Sequence, residues 1–280
     1  DVLGSRGLGD VYKRQYLLCK MKLKEKGMPK FFVNSMQIYG DKIEIIGKDV
    51  KHIKNVLRKK INDEIIICNQ DNMENFLCTI VAESEQSIVS KVVSKLESNT
   101  ETNVKVTIFQ GIPKADKMEL IIQKSVELGA FDITPVAMKR CVVKLNEKDK
   151  SKKLERWQKI AEVAAKQCGR SIIPQINDIV SVKNICNLYS NYDIVILAYE
   201  KEECNSLRTV LQNLRQNRKY IAGEDIKIGV IIGPEGGIDE DELEQLKDDK
   251  LKVITLGKRI LRTETVALAM LSIIMYELDS

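Results

Sequence analysis

The apolar positions of this 280-residue chain follow two different patterns. From Phe31 to about Leu96 they form short runs, "KIEII", "DEIIICN", "NFLCTIVA" and "SIVSKVVSKL", separated by turn-forming stretches such as "NQDNMEN". Short β-branched runs bounded by turn residues predict strands. One helical segment, "KDVKHIKNVLRKK", interrupts them. The pattern predicts a small β-barrel near the lower size for a stable domain. The polar stretch "ESNTETN" at 97–103 marks the change of pattern, so a barrel is expected over 28–98 and a second domain over 99–280.

In the second domain strands and helices alternate. "VKVTIFQGI" leads to the helix "DKMELIIQKSVELG", which is expected to stop at Gly129 in a left-handed cap. "DITPVAM" leads to "SKKLERWQKIAEVAAKQCG", with Leu154, Trp157, Ile160 or Ala161, and Ala164 on one face and Gly169 closing it. "YDIVILAYE", "IKIGVIIG" and "LKVITLG" are further strands. Continuously apolar strands joined by helical crossovers imply a parallel sheet covered on both faces. The most apolar segment, "VALAMLSIIMYEL", is too short to cross a membrane and reads as a buried helix.

Charge alters this picture only locally. Residues 1–27 show no hydrophobic periodicity and no signal-peptide core, and they read as a non-native or disordered leader ahead of a start at Met21 or Met28. They hold seven Lys/Arg against three Asp/Glu, four of the formal +5, so the rest is close to neutral. Two basic clusters stand out: eleven Lys/Arg against four acids between Lys139 and Arg170, and six against one between Lys48 and Lys60. A solvated helix face explains either alone; one in each domain favours an anionic partner. The seven cysteines never form a C-x-x-C pair and the chain has one histidine, so no metal site is expected. Scattered cysteines without a signal peptide suit a reduced, cytoplasmic protein.

The chemistry concentrates in "IIGPEGGIDEDEL", Ile231 to Leu243. Glycines after a β-branched run suggest a phosphate cradle, but a Walker-type loop needs a lysine and a hydroxyl after its last glycine. Here Ile238 and Asp239 follow Gly237, Glu235 stands among the glycines, and seven acids lie between Asp239 and Asp249. A carboxylate at ~4 Å would repel a phosphate by several kcal/mol at an effective dielectric near 20. The loop is built for a ligand that is not a polyanion, or is simply a tight strand-to-helix turn. Asp239 is expected to cap the next helix, with Glu242 as its capping-box partner. A second loop, "LGKRILRTETVALAMLS" from Leu256, crowds Arg259, Arg262 and Glu264 before an apolar helix that Thr263 or Thr265 would cap. Such crowding suggests a site.

"GPEGG" followed by "LG-x-RILRTET-x-AL" resembles the C-terminal signature of the 16S ribosomal RNA (uracil-N3)-methyltransferases, of the SPOUT superfamily. The resemblance runs from Met28 to the end and includes "HIKNVLR", "KMELIIQKSVELG", "RWQKIAEVAAKQCGR" and "ILAYE". It implies a PUA-like RNA-binding β-barrel followed by an α/β trefoil-knotted SPOUT methyltransferase domain. It also implies a homodimer, and S-adenosyl-L-methionine bound in the knot. By that resemblance backbone groups of Gly233, Gly236 and Gly237 recognise the adenine, Pro234 and Glu235 of the same loop also bind the cofactor, and Leu197, Ala198, Glu200, Leu256, Gly257, Ile260, Leu261 and Thr263 line the rest of the pocket.

Uracil N3 is a poor nucleophile until it loses its proton, so catalysis needs stabilisation of the anion and alignment with the methyl carbon. Arg262 is the expected anion stabiliser, and Glu264 or Glu235 the expected proton acceptor. Candidate RNA contacts are Lys30, His52, Lys54 and Arg58 in the barrel and Arg140, Lys144, Gln167 and Arg170 beyond it. Lys30 departs from the arginine common in relatives, which weakens bidentate phosphate contact. The rival readings are another knotted RNA methyltransferase, a catalytically silent RNA-binding relative, and an NTP-binding switch. The missing Lys-Ser/Thr pair and Glu235 speak against the last.

Overall fold

Alternation along a strand sends successive side chains to opposite faces, and in this protein it feeds three separate cores. The computed structural model describes residues 28–97, 100–217 and 224–279. The leader expected over 1–27 lies outside them. Contacts divide the chain into two compact units: one reaches Thr100 and takes in Gly169–Ile172, and the other comprises Glu101–Cys168 and the chain from Ile173.

In the first unit, β1 (Lys30–Val33), β2 (Ile38–Tyr39), β3 (Lys42–Ile46), β4 (Glu64–Asn69), β5 (Asn75–Glu83) and β6 (Ser87–Leu96) form one sheet in the order β1-β4-β5-β6-β3-β2. The β5–β6 pairing shifts register at Leu77/Cys78 and again at Ile80/Ala82. Bulges of this kind bend a strand and let a sheet curl around its own core. Phe31, Ile43, Ile45, Ile65, Ile67, Ile80 and Ile88 fill that core. The predicted helical insert is short: α1 (Lys48–Lys51) continues as one π-helical segment, His52–Val56, and Arg58 follows at φ +53.

The second unit contains β7 (Val104–Gly111), α2 (Lys117–Glu127), β8 (Asp132–Ala137), α3 (Glu147–Cys168), β9 (Gln175–Ile176), β10 (Val180–Ser181), α4 (Val182–Cys186), β11 (Ile194–Ala198), α5 (Leu207–Asn217), β12 (Ile226–Ile232), α6 (Glu240–Gln245), β13 (Leu251–Ile254) and α7 (Thr263–Leu278). Its sheet runs β10-β8-β7-β12-β11-β13, with β9 also on β8, and the pairs are parallel. Ile226, Ile228, Val230 and Ile232 of β12 point into one core with Trp157, Met270 and Ile274, while Ile231 joins Phe109, Val195 and Leu197 in the other. Two buried faces explain why the strands read as unbroken apolar runs. α2 ends at Gly129, φ +96, as its sequence predicts.

The fold is the α/β trefoil-knotted SPOUT type that the sequence resembles. β7 and β12 are neighbours at the centre of the sheet, and the chain after β13 returns to the C-terminal ends of both. No helix among the described residues is long and apolar enough to cross a membrane.

Candidate functional site

The C-terminal ends of parallel strands leave a crevice that loops must fill. Here four loops converge: those after β7 and β11, the glycine loop after β12 and the loop after β13. Gly237 takes φ +73, a conformation that favours glycine, and a Cβ there would lie 2.9 Å from Oε1 of Glu200. Gly233 and Gly236 do not need positive φ, but a Cβ on Gly236 would meet the Cβ of Arg140 at 3.0 Å. Gly111, at the end of β7, leaves room for Pro234: a Cβ there would lie 2.7 Å from the proline Cδ.

Hydrogen bonds then fix the loops to each other. The Gly237 N–H donates to the Pro234 carbonyl at 2.9 Å. Thr263 is the first residue of α7 rather than its cap, which falls at Arg262. Its hydroxyl donates to the Gly233 carbonyl at 2.7 Å and accepts from Nε2 of Gln110 at 2.8 Å. Asp239 caps α6 as expected, accepting from the Asp241 N–H. Glu242 does not fold back onto it; its carboxylate is buried and accepts the Lys139 N–H at 2.8 Å.

Together these loops enclose a cavity of about 730 Å3, within the range of small-molecule sites. Of the residues the sequence offered as its lining, Ala198, Glu200, Gly233, Pro234, Glu235, Gly236, Gly237, Leu256, Gly257, Ile260, Leu261 and Thr263 are there, with Arg262 beside them. Leu197 is not. It is fully buried in the sheet, its backbone paired on both sides, and it supports the pocket from beneath.

Lys117 is the residue that sequence reading missed. Its ammonium lies 3.1 Å from Oε1 of Glu235 and 3.1 Å from Oε2 of Glu264, joining the glycine loop to the first turn of α7. One further donor reaches Glu235: the Lys114 N–H lies 3.3 Å from each carboxylate oxygen. Lys117 is the first residue of α2, where a cation is disfavoured by the helix dipole. That misfit was the available signal that something else holds the charge.

The trio shifts its members' proton affinities. Burial works to raise the Glu235 carboxyl, but its own backbone N–H, the Lys117 ammonium and the Lys114 N–H hold it below the ordinary carboxylate range. Burial also opposes the shift at Glu264, where the backbone N–H, Lys117 and the charge of Arg262 prevail and keep it low. Lys117 is raised, by its bonds to Glu235 first and Glu264 next.

The candidate RNA contacts are scattered and differently engaged. The Lys30 ammonium donates to the carbonyls of Gly169 at 2.8 Å and Arg170 at 3.3 Å, so it holds that segment within the first unit. Arg170 is buried, at 6% exposure, which suits packing better than a phosphate contact. Arg140 donates to the Gly236 carbonyl at 3.3 Å and pairs with Asp239, so it braces the glycine loop. His52 sits edge-on to Phe31 but stays exposed, as do Arg58, Lys144 and Gln167, and Lys54 donates to the Ser84 carbonyl. Among the described residues no cluster of three or more His, Cys, Asp or Glu is arranged to hold a metal ion.

A knotted parallel sheet whose loops form such a pocket defines a class, and sequence comparison agrees with it. Residues 100–275 match the model of an RNA methyltransferase domain, and residues 45–93 that of an RNA methyltransferase PUA domain. The chain belongs to the RNA methyltransferase family those models describe. Within that family it is similar to the ribosomal RNA small subunit methyltransferases E of Bacillus subtilis, 37% identical over 84% of this chain and 90% of that one, and of Mesomycoplasma hyopneumoniae, 33% identical over 88% and 98%. The crystal structure of a ribosomal RNA small subunit methyltransferase E from Neisseria gonorrhoeae bound to S-adenosyl methionine superposes with a TM-score of 0.74, at 28% identity, covering 89% of this chain and 97% of that one.

Proposed function

We propose that the protein transfers a methyl group from S-adenosyl-L-methionine to N3 of a uridine in 16S ribosomal RNA of the small subunit. The observation that carries this reading is the cavity itself: two loops of the expected signature meet in it, and the carboxylates of Glu200 and Glu235 are among its lining.

The residues present fit S-adenosylmethionine. The group has a sulfonium and no phosphate, so Glu235 and Glu200 are compatible with it in a way they are not with a nucleotide triphosphate. The glycine loop, with Gly236 pressed against Arg140, offers backbone groups where a side chain would fill the space. Gly233 to Gly237 would hold the adenine, with Ala198, Leu256, Gly257, Ile260 and Leu261 packing against the rest. When bound, the group supplies an electrophilic methyl carbon.

The chain's own part is to make N3 nucleophilic. Arg262, at the mouth beside Lys258 and Arg259, supplies a guanidinium that stabilises the uracil anion. A proton-acceptor role at Glu264 or Glu235 asks for a basic carboxylate, whereas both are held low. We therefore place the work on Arg262 and let the N3 proton pass to solvent. N3 lies on the Watson–Crick edge, so the base enters unpaired or flipped. The first unit is the RNA-holding domain, with His52, Lys54 and Arg58 as backbone contacts, and Lys144 and Gln167 add contacts from the second unit.

We also propose a homodimer acting in the cytoplasm. Ile260 and Tyr276 are each 86% exposed, and α7 is apolar on nearly every side, a pattern expected of a covered helix. Sedimentation or light scattering at micromolar protein tests this; a monomer would remove the dimer from the proposal. Equilibrium binding tests the cofactor. S-adenosylmethionine should bind, and ATP with magnesium should not; the reverse would restore the nucleotide reading.

A further inference from the structure

Two carboxylates and one ammonium form a closed group at the floor of the pocket: Lys117 lies 3.1 Å from both Glu235 and Glu264. Lys117 and Glu235 line the cavity, while Glu264 stands behind them in α7. All three side chains are at most one-quarter exposed, so water screens them only in part. With the lysine in place the trio carries one net negative charge; without it, two. Glu235 belongs to the glycine loop and Glu264 to the first turn of α7, and residues of both segments line the pocket. Both the shape and the potential of the pocket therefore pass through one side chain.

We infer that Lys117 is a positioning residue that sets the pocket's balance between a cationic cofactor and its neutral product. This rests on the reading of the cavity as an S-adenosylmethionine site. Methyl transfer turns a sulfonium into a thioether, so substrate and product of the cofactor differ by one positive charge and one methyl. The sulfonium is attracted to uncompensated carboxylates and the thioether is indifferent to them. Lys117 keeps that attraction modest by compensating one of the two carboxylate charges. A residue that only braced the loops would weaken both ligands alike.

The test is calorimetric binding of S-adenosylmethionine and S-adenosylhomocysteine to the full chain. The readout is the ratio of the two dissociation constants, thioether over sulfonium. Lys117→Met should raise this ratio roughly three- to tenfold, the size expected for one unit of charge several ångströms away in a half-solvated site. Glu264→Gln should lower it by a similar factor, and combining the two should return it to the wild-type value because the net charge is restored. The opposite directions keep the test decisive even if one variant folds poorly. Equal weakening of both ligands in the Lys117 variant, with no movement in the Glu264 variant, would overturn the inference. If the wild-type chain bound neither ligand, the reading of the cavity would fail first, and the inference with it.

Discussion

Thr263 donates its hydroxyl to the main-chain carbonyl of Gly233, 2.7 Å away, tying the start of the last helix to the glycine loop. The same oxygen accepts from the buried Gln110 at the end of β7, so one hydroxyl links that strand, the glycine loop and the start of α7. Thr263→Val keeps the shape and removes both bonds. It should cost about 1–3 kcal/mol, the penalty for leaving buried polar groups unpaired, and should loosen cofactor binding. Thr263→Ser should recover most of the loss. Chemical denaturation of the three proteins measures it, and equal stability of the valine and serine variants would refute the role.

Gly237 presents a second, independent constraint. It holds φ +73 and faces Oε1 of Glu200 across a gap too small for a Cβ. Gly237→Ala should destabilise the loop by about 1–3 kcal/mol of backbone strain and push Glu200 aside. Cofactor affinity should fall, and the melting temperature should drop by a few degrees, about 2–4 °C per kcal/mol for a domain of this size. Calorimetry beside a thermal melt separates the two.

Arg262 carries the chemistry in this reading. Arg262→Ala should lower kcat by roughly 10²–10³, the usual cost of losing one stabilising donor at a developing anion, with cofactor affinity near wild type. Arg262→Lys should restore only part, since a lysine lacks the planar fork. Normal turnover in the alanine variant would remove Arg262 from the mechanism.

The Lys117 trio makes stability depend on pH in a stated direction. Glu235 and Glu264 are both held below their ordinary value of 4.5, so their contribution is present above that pH and fades as pH falls through the folded values. Lys117 is raised above its ordinary 10.5, so its contribution is present below that pH and fades as pH rises through the folded value. Thermal melts of the wild type should therefore fall more steeply on acidification below 4.5 than those of Glu235→Gln, which lacks one of the titrating groups. Parallel curves would contradict the assignment.

Much of this was legible along the chain because it depends on local pattern. Strand runs, the Gly129 stop and the apolar face around Trp157 follow from periodicity and turn residues alone. The pocket's backbone was legible for a different reason, since its signature is two contiguous motifs. What stayed hidden depends on contacts distant in sequence. Lys117 meets carboxylates on two later loops, Glu242 is taken by the Lys139 N–H instead of its own helix start, and Lys30 turns onto carbonyls near Gly169. Charge composition reported how many cations there are but not which of them already serve carbonyls and carboxylates. That is why Lys30, Arg140 and Arg170 read as RNA contacts before their surroundings were known.

Incubation with methyl-labelled S-adenosylmethionine and small ribosomal subunits from a strain lacking the modification is the most direct test. Digestion and mass spectrometry then identify the labelled nucleoside. Label as 3-methyluridine in 16S RNA is the expected result. Label on another nucleoside would keep the fold and the cofactor but contradict the target. No label from a protein that binds the cofactor would contradict the catalytic reading and favour a silent RNA-binding relative.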